Sequence, residues 1–238
     1  MKYMGSKNRI SKEILPIILK DRKDKQFYIE PFCGGCNIID KVNDEFCIAN
    51  DFNKYLIAMF IKLQSGWIPF KEVSKDMYNK TRDNKDLYPN WLIGYVGFNC
   101  SYSGKWFGGY AGKTKTKEGI RDYQAEAFRN IMNQVKKLTK VQFISGSYDE
   151  VEYPNNSIIY CDPPYESTTK YKDNFNHKKF WQWCRDMTNK GHVVFISEYN
   201  APEDFECIWE KQLKSSLSAN GKSGGNKIST EKLFVYSP

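Results

Sequence analysis

Apolar positions along the chain follow two alternating rhythms. Residues 26–30 (QFYIE) form a short β-prone run that ends in Pro-Phe-Cys-Gly-Gly, and from Ile38 a mixed apolar pattern resumes. This reads as strand, glycine turn, helix. Residues 46–50 (FCIAN) end in Asp51, and residues 54–63 (KYLIAMFIKL) have helical spacing, giving a second strand with a carboxylate at its carboxyl end and a second helix. Two βα units in sequence predict a parallel α/β sheet. Farther on, residues 123–138 read as a helix with one charged and one apolar face, and 141–144 as a strand before an acidic turn at 148–152. Residues 157–161 (SIIYC) form a buried-strand run that delivers Asp162-Pro163-Pro164-Tyr165. Residues 177–189 read as a helix, 192–197 (HVVFIS) as another buried strand and 233–236 as a last strand, with a polar, glycine-rich loop over 214–230.

From about residue 66 the pattern changes. Trp67, Pro69, Trp91 and the glycines at 94, 97, 104, 108, 109 and 112 interleave with Tyr, Phe and Lys without strand alternation. The expected architecture is a doubly wound, mostly parallel sheet with helices on both faces, built from residues 1–63 and 121–238, with a smaller module inserted over 64–120. No internal repeat is visible.

Composition narrows the class. The chain has 238 residues, 40% of them hydrophobic, enough for one sizeable core with a modest insert. No apolar run approaches the ~20 residues of a membrane span, and MKYMGSKNRI lacks the apolar segment of a signal peptide. A cytoplasmic protein of a bacterial or phage-infected cell, with no membrane partner, is expected; nothing in the pattern sets an oligomeric state. The seven cysteines are odd in number and scattered, which fits a reducing compartment. Cys33-Gly-Gly-Cys36 has the spacing of half a zinc site, yet no second close pair exists and the histidines are His177 and His192 alone, so no metal is expected.

The net charge of +8 is unevenly placed. Residues 1–29 carry eight Lys/Arg against three acids, residues 101–121 five against one, and residues 146–166 five acids and no base. Such segregation suits a phosphate-binding surface beside an acidic pocket for a cationic cofactor, and equally a solvated lysine face.

In an open α/β sheet, ligands sit beyond the carboxyl ends of the strands, and three such ends here carry Glu30, Asp51 and Asp162. After Glu30, the turn Pro31-Phe32-Cys33-Gly34-Gly35 lets backbone approach a ligand while the acid pairs with an ammonium group; plain turn chemistry is the alternative. Asp51, about 20 residues beyond that turn, stands where an acid can accept from both ribose hydroxyls of an adenosine, or where it caps a helix. Asp162-Pro163-Pro164-Tyr165 is the sharpest signal. Two prolines after a buried strand end the pairing and remove two backbone donors, leaving Asp162 and the Pro163 carbonyl as acceptors for an aromatic amine. Tyr165 offers a flat face on which a base can stack.

Tyr3-Met-Gly-Ser-Lys7, Glu30-Pro-Phe-Cys-Gly-Gly, Asp51 after a strand and Tyr160-Cys-Asp-Pro-Pro-Tyr165, in that order, resemble the Dam-like, alpha-class family of DNA adenine-N6 methyltransferases. The resemblance covers nearly the whole chain, including Ser215-Ser-Leu-Ser-Ala-Asn-Gly, which looks like the family's closing loop. It implies a Rossmann-like S-adenosylmethionine-dependent fold, site-specific methyl transfer to adenine N6 in duplex DNA by base flipping, and S-adenosylhomocysteine as product. It assigns Tyr3, Lys7, Glu30, Pro31, Phe32, Gly34, Asp51 and Asp162 to the cofactor, and Asp162, Pro163, Pro164 and Tyr165 to catalysis. The compact, Lys- and Asn-rich chain looks like the orphan methylases of phages or mobile elements.

The insert departs from the better-known Dam proteins. Val96-Gly-Phe-Asn99 resembles the start of their recognition hairpin, but Cys-Ser-Tyr-Ser-Gly-Lys-Trp-Phe-Gly-Gly-Tyr follows. Lys105, Lys113, Lys115, Lys117 and Arg121 are expected at phosphates, with a solvated lysine loop as the alternative over 113–117; Asn99, Ser101 and Tyr102 could reach base edges. Trp106 or Phe107 could fill the gap left by a flipped base, or form the insert's own core. Rival substrates with the same oriented amine are cytosine N4, RNA adenine and a protein glutamine amide, and a non-catalytic DNA-binding module is a rival of another class.

Overall fold

The computed structural model describes residues 1–42, 44–166, 175–214 and 228–237. In chain order its elements begin α1 (Ser11–Ile18), β1 (Tyr28–Glu30), β2 (Cys47–Asp51), α2 (Lys54–Gln64), α3 (Lys75–Asp83), α4 (Asn90–Asn99), β3 (Lys113–Thr116) and β4 (Gly119–Asp122). They continue with α5 (Tyr123–Val135), β5 (Gln142–Ser145), β6 (Ile158–Cys161), α6 (His177–Asn189), β7 (Val193–Glu198), β8 (Phe205–Lys214) and β9 (Ile228–Tyr236). Among the described residues, seven strands take the order β5-β2-β1-β6-β7-β9-β8, and β3 and β4 form a separate ribbon. This is the expected mostly parallel α/β sheet, here mixed. No described helix is long and apolar enough to cross a membrane.

The chain divides into two compact units: Met1–Lys12 with Glu30–Val151, and Glu13–Ile29 with Glu152–Pro238. In the first, β2 and β5 pair in parallel, with Asp51 opposite Ser145. Asn53 caps α2 by accepting from the amides of Tyr55 and Leu56, each at 3.1 Å. The apolar face of α2 buries Leu56, Ile57, Met59, Phe60 and Leu63, and Phe60 stacks on Phe143 of β5 at 5.3 Å. Helix α4 is apolar on every side and is buried from Leu92 to Asn99. It crosses α2 at Gly94, where a Cβ would lie 2.0 Å from the Tyr55 carbonyl oxygen, so only glycine permits the approach. The β3–β4 hairpin feeds α5, whose first turn is capped by Asp122 accepting from the Ala125 amide at 2.9 Å.

In the second unit, β1, β6 and β7 run parallel, β9 is antiparallel to β7, and β8 is antiparallel to β9. All four residues of β6 are buried, the pattern of a strand covered on both faces. Asn176 caps α6 through the Lys179 amide at 2.9 Å, and the helix buries Phe180, Trp181, Cys184 and Met187.

Three expectations are corrected. After the glycine turn, among the described residues, the chain forms a 3-10 turn, Ile39–Lys41, in place of the expected helix. The 66–120 stretch, read as lacking strand alternation, holds α3, α4 and the β3–β4 hairpin; the lysines at 113–117 hid alternation on an exposed ribbon. The loop expected over 214–230 is strand at both ends: β8 reaches Lys214 and β9 starts at Ile228. Polar edge-strand residues, FECIWEKQLK, carry little periodic signal. The Ser215–Gly221 resemblance (residues 215–221) lies outside the described residues.

Candidate active site

The first unit assembles the glycine turn on the end of β2. Asp51 accepts the Gly34 amide through one carboxylate oxygen at 2.9 Å and the Asn53 amide through the other at 2.9 Å. It is therefore not the cap of α2; Asn53 is. Burial raises the Asp51 pKa above the ordinary carboxylate value, against the opposing pull of those two amides. The turn is laced further by Cys33 N–H to the Asn50 carbonyl at 2.8 Å and by the Asn50 side-chain amide, which donates to the Pro31 and Gly146 carbonyls at 3.0 and 3.1 Å.

Tyr3 lies against this turn. A Cβ on Gly35 would sit 2.6 Å from the Tyr3 Cβ, and one on Gly34, whose φ is +46°, 2.7 Å from the Tyr3 ring. Sequence positions 3 and 34 are thus brought together. Lys7 is buried with its Nζ 3.4 Å from the Gly5 carbonyl, Glu30 is buried at the end of β1, and Phe32 packs on Tyr148 with ring centroids 5.2 Å apart. Cys33 and Cys36 are buried thiols whose pKa values burial pushes up, so both stay protonated.

In the second unit, β6 ends at Cys161 and hands on to Asp162, which is partly exposed, then to Pro163 and Pro164. Tyr165 is buried; its hydroxyl donates to Glu231 Oε2 at 2.8 Å, and its ring meets that of Tyr199 edge-on at 4.6 Å. Burial, with Asp162 and Glu231 nearby, holds the phenol far above its ordinary pKa, so it remains a donor.

The insert residues separate into two groups. Asn99 is buried with its amide nitrogen 3.2 Å from the Met59 sulfur, and Ser101 is buried between the Gly97 carbonyl at 2.8 Å and the Tyr78 hydroxyl at 2.9 Å. Tyr102 is 41% exposed and is the one of the three base-edge candidates at the surface. Lys105 is half-buried, whereas Lys113, Lys115, Lys117 and Arg121 are exposed on the hairpin. Arg121 pairs with Glu126 at 2.9 Å and lies 4.7 Å from the Tyr123 ring centroid; Lys2 reaches the same glutamate at 2.8 Å. Trp106 stacks with Tyr55 at 5.5 Å and meets Phe98 at 4.8 Å, and Phe107 meets Tyr78 at 5.4 Å. Both rings are half-buried against these neighbours, and Tyr55 lies outside the 64–120 stretch.

The model of the D12 class N6 adenine-specific DNA methyltransferase family matches residues 3–91 and 69–200. The chain belongs to that family. The D12 match runs through Tyr3, Glu30, Asp51 and Asp162, so every strand-end carboxylate named above falls inside it. The chain is similar to the modification methylase StsI of Streptococcus sanguinis, with 26% identity over 222 residues, 84% of this chain and 33% of that protein. It is also similar to the type II methyltransferase M.FokI of Planomicrobium okeanokoites, with 24% identity over 79% of this chain and 32% of that protein. The retron Ec67 DNA adenine methylase of Escherichia coli is 22% identical over 99% of this chain and 90% of its own length. The D12 chain thus spans about a third of the first two relatives and most of the third.

Several residues of this D12 protein that flank these acids or hold these turns were not marked by the sequence. Phe52, directly after Asp51, is 82% exposed, a large apolar ring held in the open beside the acid. Its signal was available: an aromatic at the exit of a strand, where a polar turn residue is usual. Gln134 of α5 donates to the Gly35 and Cys36 carbonyls at 2.9 and 3.0 Å and to Asp40 at 3.1 Å, and accepts from the Met1 amine. Nothing local in the sequence marks it. Glu198 closes β7 and was one residue beyond the strand as read, and Glu231 sits in a strand whose start was missed.

Proposed function

We propose that this protein transfers a methyl group from S-adenosylmethionine to the N6 amino group of adenine in duplex DNA. The observation that carries the reading is the delivery of Asp162-Pro163-Pro164-Tyr165 by a fully buried strand. It places a carboxylate, a carbonyl without a neighbouring amide donor, and an aromatic ring on one short turn. Adenine's amino lone pair is delocalised into the ring, so the help it needs is orientation. Asp162 and the Pro163 carbonyl accept its two hydrogens and turn the lone pair out of plane; Asp162 then holds the proton released as the N–C bond forms. Tyr165 supports the base, which must leave the helix to be reached.

The chemistry of the donors fits the cofactor. Glu30 supplies an anion for the methionine ammonium, Asp51 retains lone pairs for ribose hydroxyls beyond its two amide partners, and the Gly34–Gly35 backbone admits close approach with Tyr3, Lys7, Pro31 and Phe32 around it. When bound, S-adenosylmethionine supplies an electrophilic sulfonium methyl. Residues 64–120 serve as the recognition insert in this reading, with Lys113, Lys115, Lys117 and the adjoining Arg121 at phosphates and Tyr102 near bases. The relatives' names, two modification enzymes and a retron methylase, favour DNA over RNA or protein amides, and a setting in restriction–modification or on a mobile element.

The test is transfer of labelled methyl groups from S-adenosylmethionine to unmethylated duplex DNA, to RNA of the same sequences and to protein. Incorporation into DNA alone is expected; incorporation into RNA or protein alone would replace the substrate, and cofactor binding without transfer to any of them would favour a non-catalytic module.

A further inference from the structure

We infer that Glu231 is a positioning residue for the target base: its carboxylate holds the Tyr165 hydroxyl and thereby fixes the ring that supports the adenine. The inference rests on the reading that Asp162 to Tyr165 form the target pocket, and deepens it. A tyrosine in a turn after two prolines has no helix or sheet ladder to set its rotamer, so its ring is only as precise as its side-chain contacts. Two of those contacts come from β9 and from the residue that follows β7. The Tyr165 hydroxyl donates to Glu231 Oε2 at 2.8 Å, and its ring meets Tyr199 at 4.6 Å with planes 83° apart. Glu198, at the end of β7, accepts the Tyr199 amide at 2.7 Å and the Glu166 amide, next after Tyr165, at 3.3 Å.

Both carboxylates are buried, Glu198 at 3% and Glu231 at 9% exposure. A carboxylate inside a fold is costly to desolvate and is kept where it has donors to hold. The Tyr165 hydroxyl that Glu231 holds and the Glu166 amide that Glu198 holds both lie on or directly after the turn proposed to meet the base. A purely structural anchor would be indifferent to whether Tyr165 keeps its hydroxyl; a positioning residue acts only through that hydroxyl.

This distinction sets the experiment: single-turnover methylation of unmethylated duplex DNA by the wild-type chain, Glu231→Leu, Glu231→Gln, Tyr165→Phe and the double variant Tyr165→Phe with Glu231→Leu, each also measured for S-adenosylmethionine affinity. Glu231→Leu and Tyr165→Phe should each slow methyl transfer about tenfold, as misplacement of a reacting group does, with cofactor affinity within about twofold. The double variant should be no slower than either single one, and Glu231→Gln, which keeps an accepting oxygen, should recover most of the rate. Additive losses in the double variant, or an unchanged rate in a folded Glu231→Leu protein, would overturn the inference while leaving the methyltransferase reading intact. A wild-type protein that binds cofactor and methylates no DNA would overturn both.

Discussion

Asp51 accepts the amide hydrogen of Gly34 at 2.9 Å, so the carboxylate at the end of β2 and the glycine turn after β1 are one construction. Its other oxygen is committed to the Asn53 amide at 2.9 Å, one residue short of α2. The acid proposed here as a ribose ligand therefore also shapes the glycine turn.

Removing this carboxylate should cost twice, through lost ribose contacts and through a loosened turn. Asp51→Ala should weaken S-adenosylmethionine binding by about 30-fold or more, the worth of charge-assisted hydrogen bonds of roughly 2 kcal/mol. Titration calorimetry checks this; an affinity within about twofold of wild type would remove Asp51 from the site.

The raised pKa of Asp51 gives cofactor binding a pH signature. Ribose hydroxyls donate to the ionised form, so affinity should start to fall on acidification at a pH above that of an ordinary carboxylate. Folding of the ligand-free chain carries the opposite sign. A carboxyl whose folded pKa is raised contributes stability that is full below its unfolded value and is lost as pH rises through the folded value. Binding measured across this range in wild type and Asp51→Asn should show the acid limb only in wild type; an identical limb in both would assign it elsewhere.

Gln134 is a junction between α5 and the glycine turn; its loss takes the donor from the Gly35 carbonyl and leaves the Cys36 carbonyl with the Asp40 amide at 3.3 Å. Gln134→Leu should lower the unfolding free energy by about 1–3 kcal/mol, the cost of a buried acceptor left without its partner. Urea unfolding reads it, and an unchanged midpoint would mean the Gly35 carbonyl finds another donor.

Much of the fold was legible where burial imposed a pattern. The strands ending at Glu30, Asp51 and Cys161 and helices α2, α5 and α6 announced themselves through apolar runs or helical spacing, and the acids at strand ends set the candidate site. What the chain did not disclose depended on partners remote in sequence. Helix α4 is buried on all sides, so it lacks an amphipathic stripe, and β8 is an edge strand rich in charge. Asn99 and Ser101 read as polar and available because nothing in the sequence shows that Met59, Gly97 and Tyr78 enclose them. Gln134 and Glu231 acquire meaning only through contacts 99 and 66 residues away.

The hairpin lysines should act on DNA through charge. Replacing Lys115 and Lys117, both exposed, with alanine should weaken binding to all duplex sequences alike and reduce the slope of log affinity against log salt by about 2. Anisotropy titrations at several salt concentrations test this. An unchanged slope would assign the hairpin to solvent.

The central claim, methyl transfer to adenine N6 organised by Asp162, is tested most directly by nucleoside mass spectrometry of unmethylated duplex DNA incubated with S-adenosylmethionine and either the wild-type chain or Asp162→Ala. The account predicts N6-methyladenine with the wild-type chain and none above background with Asp162→Ala. N4-methylcytosine in place of N6-methyladenine, or equal N6-methyladenine from both proteins, would contradict it.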